Sequence, residues 1–264
     1  MKQCMARVLA LFVLAALAAC SGGGSGGGLS SSKEITALSV NGTEGVINKT
    51  NRTVAVTVSR GTDLTAALTP TIEINGVDIS PPSGMTQTFF TAAAGFIPVS
   101  YTVTAEDGST ADWTVMVRWE PLASVDGIGT YLGTPPANTG DGSNAANPII
   151  LPVNVDLSAG WEDLLGAINT AGKYVILDLS ACTGMTAFDP GGSDTDAGRI
   201  AAKRKIVSLV LPDAAQSIKA GISSDRAFNN FTYLKSVTGV AITNIGDQAF
   251  SGCTYLATVS FPKA

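Results

Sequence analysis

Histidine is absent from the 264 residues. That excludes Ser–His–Asp triads, Cys–His pairs and His-ligated metals. Four cysteines stand at Cys4, Cys20, Cys182 and Cys253, with no Cys-x-x-Cys spacing. Cys182 and Cys253 can pair in an oxidising compartment or pack as small hydrophobes, and the spacing leaves both open. Asp189, Asp194 and Asp196 fall in the Gly-rich stretch "DPGGSDTDAG". Oxygen-rich loops can hold Ca²⁺, but this one lacks the spacing and bidentate Glu of an EF-hand and reads as a solvated insertion. Arg199, Lys203, Arg204 and Lys205 form a basic cluster that reads as a solvated charge run, with phosphate or sulfated glycan as the alternative. Glu106-Asp107 and Glu162-Asp163 are sequence neighbours whose side chains point apart, so neither makes an acid/base pair across a cleft. The Gly-rich run at 22–28 precedes no strand–helix unit and is no phosphate loop. These residues predict a protein that is not an enzyme, with no cofactor and no metal.

Charged residues make up only 14% of the chain and the formal net charge is −5. Gly, Ser and Thr are abundant, as in β-rich, turn-rich extracellular modules. An acidic chain is a poor nucleic-acid binder, since that contact needs Lys and Arg on phosphates.

The N-terminus predicts export. Lys2 and Arg7 precede an apolar run, Val8 to Leu17, which is much shorter than the about 20 residues of a bilayer span. Leu17-Ala18-Ala19-Cys20 then resembles a bacterial lipobox. The resemblance implies removal of residues 1–19 and lipidation of Cys20, anchoring the chain to a membrane through its N-terminal lipid. Ser21 fits the outer-membrane-destined pattern, so the implied location is the outer membrane or cell surface. Residues 20–32, nearly all Gly and Ser, read as a flexible tether.

Residues 33–119 read as a β-sandwich. Ile35 to Val40 ends at the turn dipeptide Asn41-Gly42, Thr53 to Val58 alternates, and Val99 to Thr104 alternates again. Glu106-Asp107-Gly108-Ser109 then turns the chain into Trp113 to Val117. "ITALSVNG" and "YTVTAEDGSTADWTVMV" resemble bacterial immunoglobulin-like modules, which mostly serve as spacers.

Residues 120–157 read as a linker and entry, and 158–264 as a repeat region. Trp161, Leu164, Leu165 and Ile168 share one helical face, and Gly172 stops the helix. A strand frame then recurs: Tyr174-x-x-Leu177-x-Leu179, Ile206-x-x-Leu209-x-Leu211, Leu234-x-x-Val237-x-Gly239, Leu256-x-x-Val259-x-Phe261. Phe228, Thr232 and Tyr233 recur as Phe250, Thr254 and Tyr255. "ITNIGDQAFSGCTYLATVSFPKA" resembles the BspA-like leucine-rich repeats of bacterial lipoproteins. The resemblance implies a short leucine-rich repeat solenoid after an Ig-like sandwich.

In that frame Leu177, Leu209, Val237 and Val259 stack inward. Asp178, Ser208, Val210, Ser236, Thr238, Thr258 and Ser260 face outward as a polar ladder. The ladder is the predicted ligand surface, with Tyr233 and Tyr255 as further contacts. Adhesion, which is associated with BspA-like proteins, would make the partners host matrix proteins, glycans or other cells. The alternative is a non-binding spacer or a truncated relic of a longer array.

Overall fold

A computed structural model describes residues 28–92, 94–191, 195–221 and 227–264. The signal segment and Cys20 lie outside these residues, as does Asp194. The described chain is mostly β, with several sheets and few helices. Among the described residues no helix is long and apolar enough to cross a membrane.

The first part comprises β1 (Ile35–Val40), β2 (Thr43–Asn48), β3 (Thr53–Val58), β4 (Pro70–Ile74), β5 (Asp78–Ser80), β6 (Phe90–Thr91), β7 (Gly95–Phe96), β8 (Val99–Thr104) and β9 (Thr110–Trp119). Seven of them pair in the order β4-β1-β2-β3-β9-β8-β5, with β6 and β7 forming a separate small ribbon. Asn41 and Gly42 both take positive φ, as a tight hairpin turn between β1 and β2 requires. Alternation buries Val54, Val56 and Val58 on one face of β3, and Trp113, Val115 and Val117 on the same face of β9. Leu38, Val40, Ile72, Tyr101 and Val103 join them in one core. Burial pushes the Tyr101 hydroxyl up to about 12.

The second part begins before Ser158. The stretch assigned above to a linker carries α1 (Ile128–Gly133) and β10 (Ile149–Pro152). After these come α2 (Leu157–Ala171), β11 (Val175–Asp178), β12 (Ala187–Phe188), α3 (Ala197–Lys203), β13 (Ile206–Val210), β14 (Ser217–Ile218), β15 (Ser236–Thr238), β16 (Asn244–Ile245) and β17 (Thr258–Ser260). The strands β10-β11-β13-β15-β17 form a parallel sheet in chain order, and β12-β14-β16 form a second parallel ribbon. The chain therefore winds in stacked turns, with β11 and β12, β13 and β14, and β15 and β16 each giving one strand to the sheet and one to the ribbon.

α2 starts where the Asp156 carboxylate accepts from Ser158 N, and it stops at Gly172, whose φ is +64°. Its Trp161, Leu164, Leu165 and Ile168 are buried against Leu177, Leu209 and Val237, which lie opposite one another in register. Phe188, Phe228, Phe250 and Phe261 stack in a second column, with centroids 6.0, 4.8 and 6.2 Å apart. The Leu177–Leu209–Val237 column runs out at the last turn, where Val259, expected to stack inward, is 44% exposed.

The two parts share a buried layer. Ile150, Ile176 and Val210 of the parallel sheet, with Val240 just after β15, belong to the core that holds Phe90, Phe96 and Met116 of the first part. Gly95, at φ +73°, allows the approach: a Cβ there would run into the side chains of Ser208 and Ser236. At the far end Lys263 donates to Asn51 O.

Candidate functional site

Most of the predicted ladder is buried. Strand alternation does turn Asp178, Ser208, Ser236 and Thr238 away from α2, yet each is at most 5% exposed, because β7 and β9 cover them. Their polar atoms find partners inside the interface. The Ser208 and Ser236 hydroxyls lie 2.5 Å apart, and Thr238 Oγ1 donates to Phe96 O at 3.3 Å. Val210, also placed outward, is buried in the shared core. Thr258 is exposed and Ser260 half-buried, since β17 reaches past the covering strands. The expectation of a solvent-facing polar surface is corrected on this point: a flat face of small hydroxyls is also a face on which another sheet can lie.

The same interface holds charge. Arg118 Nη2 donates to Asp213 Oδ2 at 2.8 Å, with the Arg side chain 7% exposed and the Asp 41%. Asp178 also faces Arg118, accepts from Ser180 N, and is held above the ordinary carboxylate range by burial, with Arg118 pulling it back. These residues line a cavity of about 160 Å³ with Ala55, Trp119 and Val153. Two carboxylates around one guanidinium brace an interface.

The exposed chemistry lies on the edge of the parallel sheet where its strands begin. Tyr174 precedes β11, Lys205 precedes β13, Tyr233 stands just ahead of β15 and Tyr255 ahead of β17. Tyr174 and Tyr233 meet edge to face at 5.6 Å, and Tyr233 stacks on Tyr255 at 5.8 Å. Lys205 Nζ sits 4.0 Å from the Tyr174 ring centroid. Tyr233 is 38% exposed and Tyr255 59%. Because β13 and β15 are neighbours in the sheet, the three rings and the ammonium form one continuous strip. Of these, the sequence pointed to Tyr233 and Tyr255 through their matched positions. Tyr174 was missed because it occupies the frame position of Leu234 and Leu256, one residue further along.

The other candidates separate. Asp189 accepts from Gly191 N and pairs with Lys219 at 2.8 Å, while Asp196 caps α3 by accepting from Arg199 N. The basic cluster is a solvated run only at the exposed Arg204. Arg199 reaches Glu162 at 3.0 Å, Lys203 is fully buried and donates to Gly191 O, and Lys205 lies over Tyr174. Cys182 and Cys253 are both free thiols, each pushed up to about 11 by burial. Their Sγ atoms donate to Val153 O and Phe228 O.

Residues 35–117, from the start of β1 to Val117 of β9, match the family model described as "SGBP, N-terminal". No curated protein matches the chain. These findings overturn the resemblance to BspA-like leucine-rich repeat lipoproteins. The family that is found lies on the first β part, and no leucine-rich repeat model is found in the stacked turns. The short frame of Leu, Val and Phe positions is met by parallel strands packing their apolar side on α2, so that spacing alone does not define a family.

Proposed function

We propose that this is a bacterial surface glycan-binding protein that is not an enzyme. In this reading it is held to the outer membrane by lipid on Cys20, with sugars taken on the Tyr174–Tyr233–Tyr255 strip. The single observation behind the site is that strip: three tyrosine rings on one sheet edge, Tyr233 touching both Tyr174 and Tyr255, and two of the three open to water. A pyranose ring has an apolar C–H face that packs on aromatic rings, and its hydroxyls exchange hydrogen bonds with phenol and ammonium groups. The name of the matched family, which concerns glycan-binding proteins of bacterial surfaces, supports the ligand class. The first β part, locked to the parallel sheet by its buried face, acts as the mount that carries the strip beyond the tether.

The test is binding of the chain without its leader to an array of immobilised polysaccharides, with Tyr255→Ala and Tyr233→Ala beside it. Loss of about tenfold or more in affinity from each variant, with unchanged thermal unfolding, is the expected result. A glycan bound equally well by both variants places the site elsewhere. No binding by the folded parent protein leaves a non-binding spacer as the function.

A further inference from the structure

We infer that the glycan taken by this edge is acidic, carrying carboxylate or sulfate groups. The inference rests on the glycan reading above and adds the charge of the ligand. The cations gather where the rings are. Lys205 Nζ stands over Tyr174 at 4.0 Å. Lys173 adjoins Tyr174 and donates to Asp141 O at 2.9 Å. Lys235 stands two residues beyond Tyr233 and donates to Ala145 O at 2.8 Å. The exposed Arg204 precedes Lys205. The Lys173 and Lys235 ammonium groups are thereby pinned by carbonyls of the same loop, 141–147, and the Asp141 carboxylate offsets part of the Lys173 charge.

The acid of that loop, Asp141, turns its carboxylate to Ser143 N and Asn147 Nδ2. These bonds, with Lys173 nearby, hold it below the ordinary carboxylate range. A chain of net charge −5 thus places several cations and three aromatic rings on one edge. A neutral sugar would stack on the rings and offer the cations only hydroxyl oxygens, without an opposite charge. A uronate or a sulfated sugar uses both, stacking its ring and pairing its acid group with an ammonium. Each ammonium is already ordered by a carbonyl or a ring, which lowers the entropy cost of such a pair.

The probes are polygalacturonate beside its carboxyl-reduced form, and chondroitin sulfate beside its desulfated form, titrated into the leaderless protein at low and high salt. At least one acidic polymer should bind roughly five- to tenfold tighter than its neutral partner at low salt, and the advantage should shrink as salt screens it. Lys205→Gln should remove most of that advantage, lowering affinity for the acidic polymer by a larger factor than affinity for its neutral partner. Equal affinity within both pairs at every salt concentration, with neutral glycans still bound through Tyr255, overturns the acidic assignment and leaves the stacking site standing. Absence of binding to these polymers and to the neutral array overturns both. A homopyrimidine oligonucleotide binding more tightly than any polysaccharide would assign the strip to nucleic acid and overturn the inference as well. If Lys205→Gln does not fold, the polymer pairs and the salt series on the parent protein decide.

Discussion

Ser208 and Leu209 are neighbours on β13, and they are buried in two different ways. Leu209 lies between Leu177 and Val237 on the face that packs against α2, an apolar side meeting an apolar side. Ser208 lies between Ile176 and Ser236 on the opposite face, beneath Gly95 and Phe96 of the first part. Burial on the α2 face is favourable for each methylene removed from water. Burial on the other face is favourable only where each hydroxyl and charge finds a partner, because an unpaired polar group keeps its desolvation cost. One face therefore builds the second part, and the other decides where the first part sits on it. The two parts meet through a mixed face, Ile176 and Val210 packing beside the polar groups, and the polar share of it explains why Ser208, Ser236, Thr238 and Asp178 looked like a ligand surface.

The contrast is sharpest at the largest expected effect. Leu209→Ala removes buried methylenes from the α2 side and should cost roughly 2–5 kcal/mol in urea unfolding, since the surrounding parallel strands cannot collapse into the space. A cost under about 1 kcal/mol would mean that the α2 face is loosely packed and that the two faces do not differ as described.

Next comes the charged part of the covered face. Arg118→Met leaves Asp178 buried without its nearby cation and should cost about 3 kcal/mol near neutral pH. Asp178 already lies above the ordinary carboxylate range through burial, and loss of Arg118 raises it further. For an acid whose folded pKa exceeds its unfolded one, the stabilising contribution is complete below the unfolded pKa and is lost as pH rises through the folded one. The deficit of the variant should therefore narrow as pH falls from neutrality toward about 4, the unfolded carboxylate value. An unchanged deficit across that window in parallel unfolding series would remove Asp178 from the account.

The α2 face was the legible part. The spacing of Trp161, Leu164, Leu165 and Ile168 located the helix, and Gly172 located its end. Asn41-Gly42 located the first hairpin, and Thr53 to Val58 the third strand. All of these are local signals, carried within one turn or one strand. The covered face was not legible, because the partner of Ser208 and Thr238 is near Gly95 and Phe96, over a hundred positions away, and small hydroxyls suit water and a packed sheet equally well. Lys203 was misjudged for a related reason: a cation reads as solvated until a carbonyl, here that of Gly191, is seen to receive it. At the candidate edge, recurrence exposed Tyr233 and Tyr255. It could not show that Tyr174, at a different frame position, completes the strip, or that Lys205 covers its ring.

The smallest effect tests the polar logic most directly. Ser208→Ala leaves the Ser236 hydroxyl buried with its observed partner gone, and should cost roughly 1–2 kcal/mol. Removing the second hydroxyl as well, in Ser208→Ala with Ser236→Ala, takes away the orphaned group itself. The double variant should then be no less stable than the single one, and should recover most of the loss. Additive losses in the double-mutant cycle would mean that each hydroxyl has its own contact with the covering strands. The covered face would then be held by separate polar anchors on β7 and β9, and not by a hydroxyl pair that merely tolerates burial.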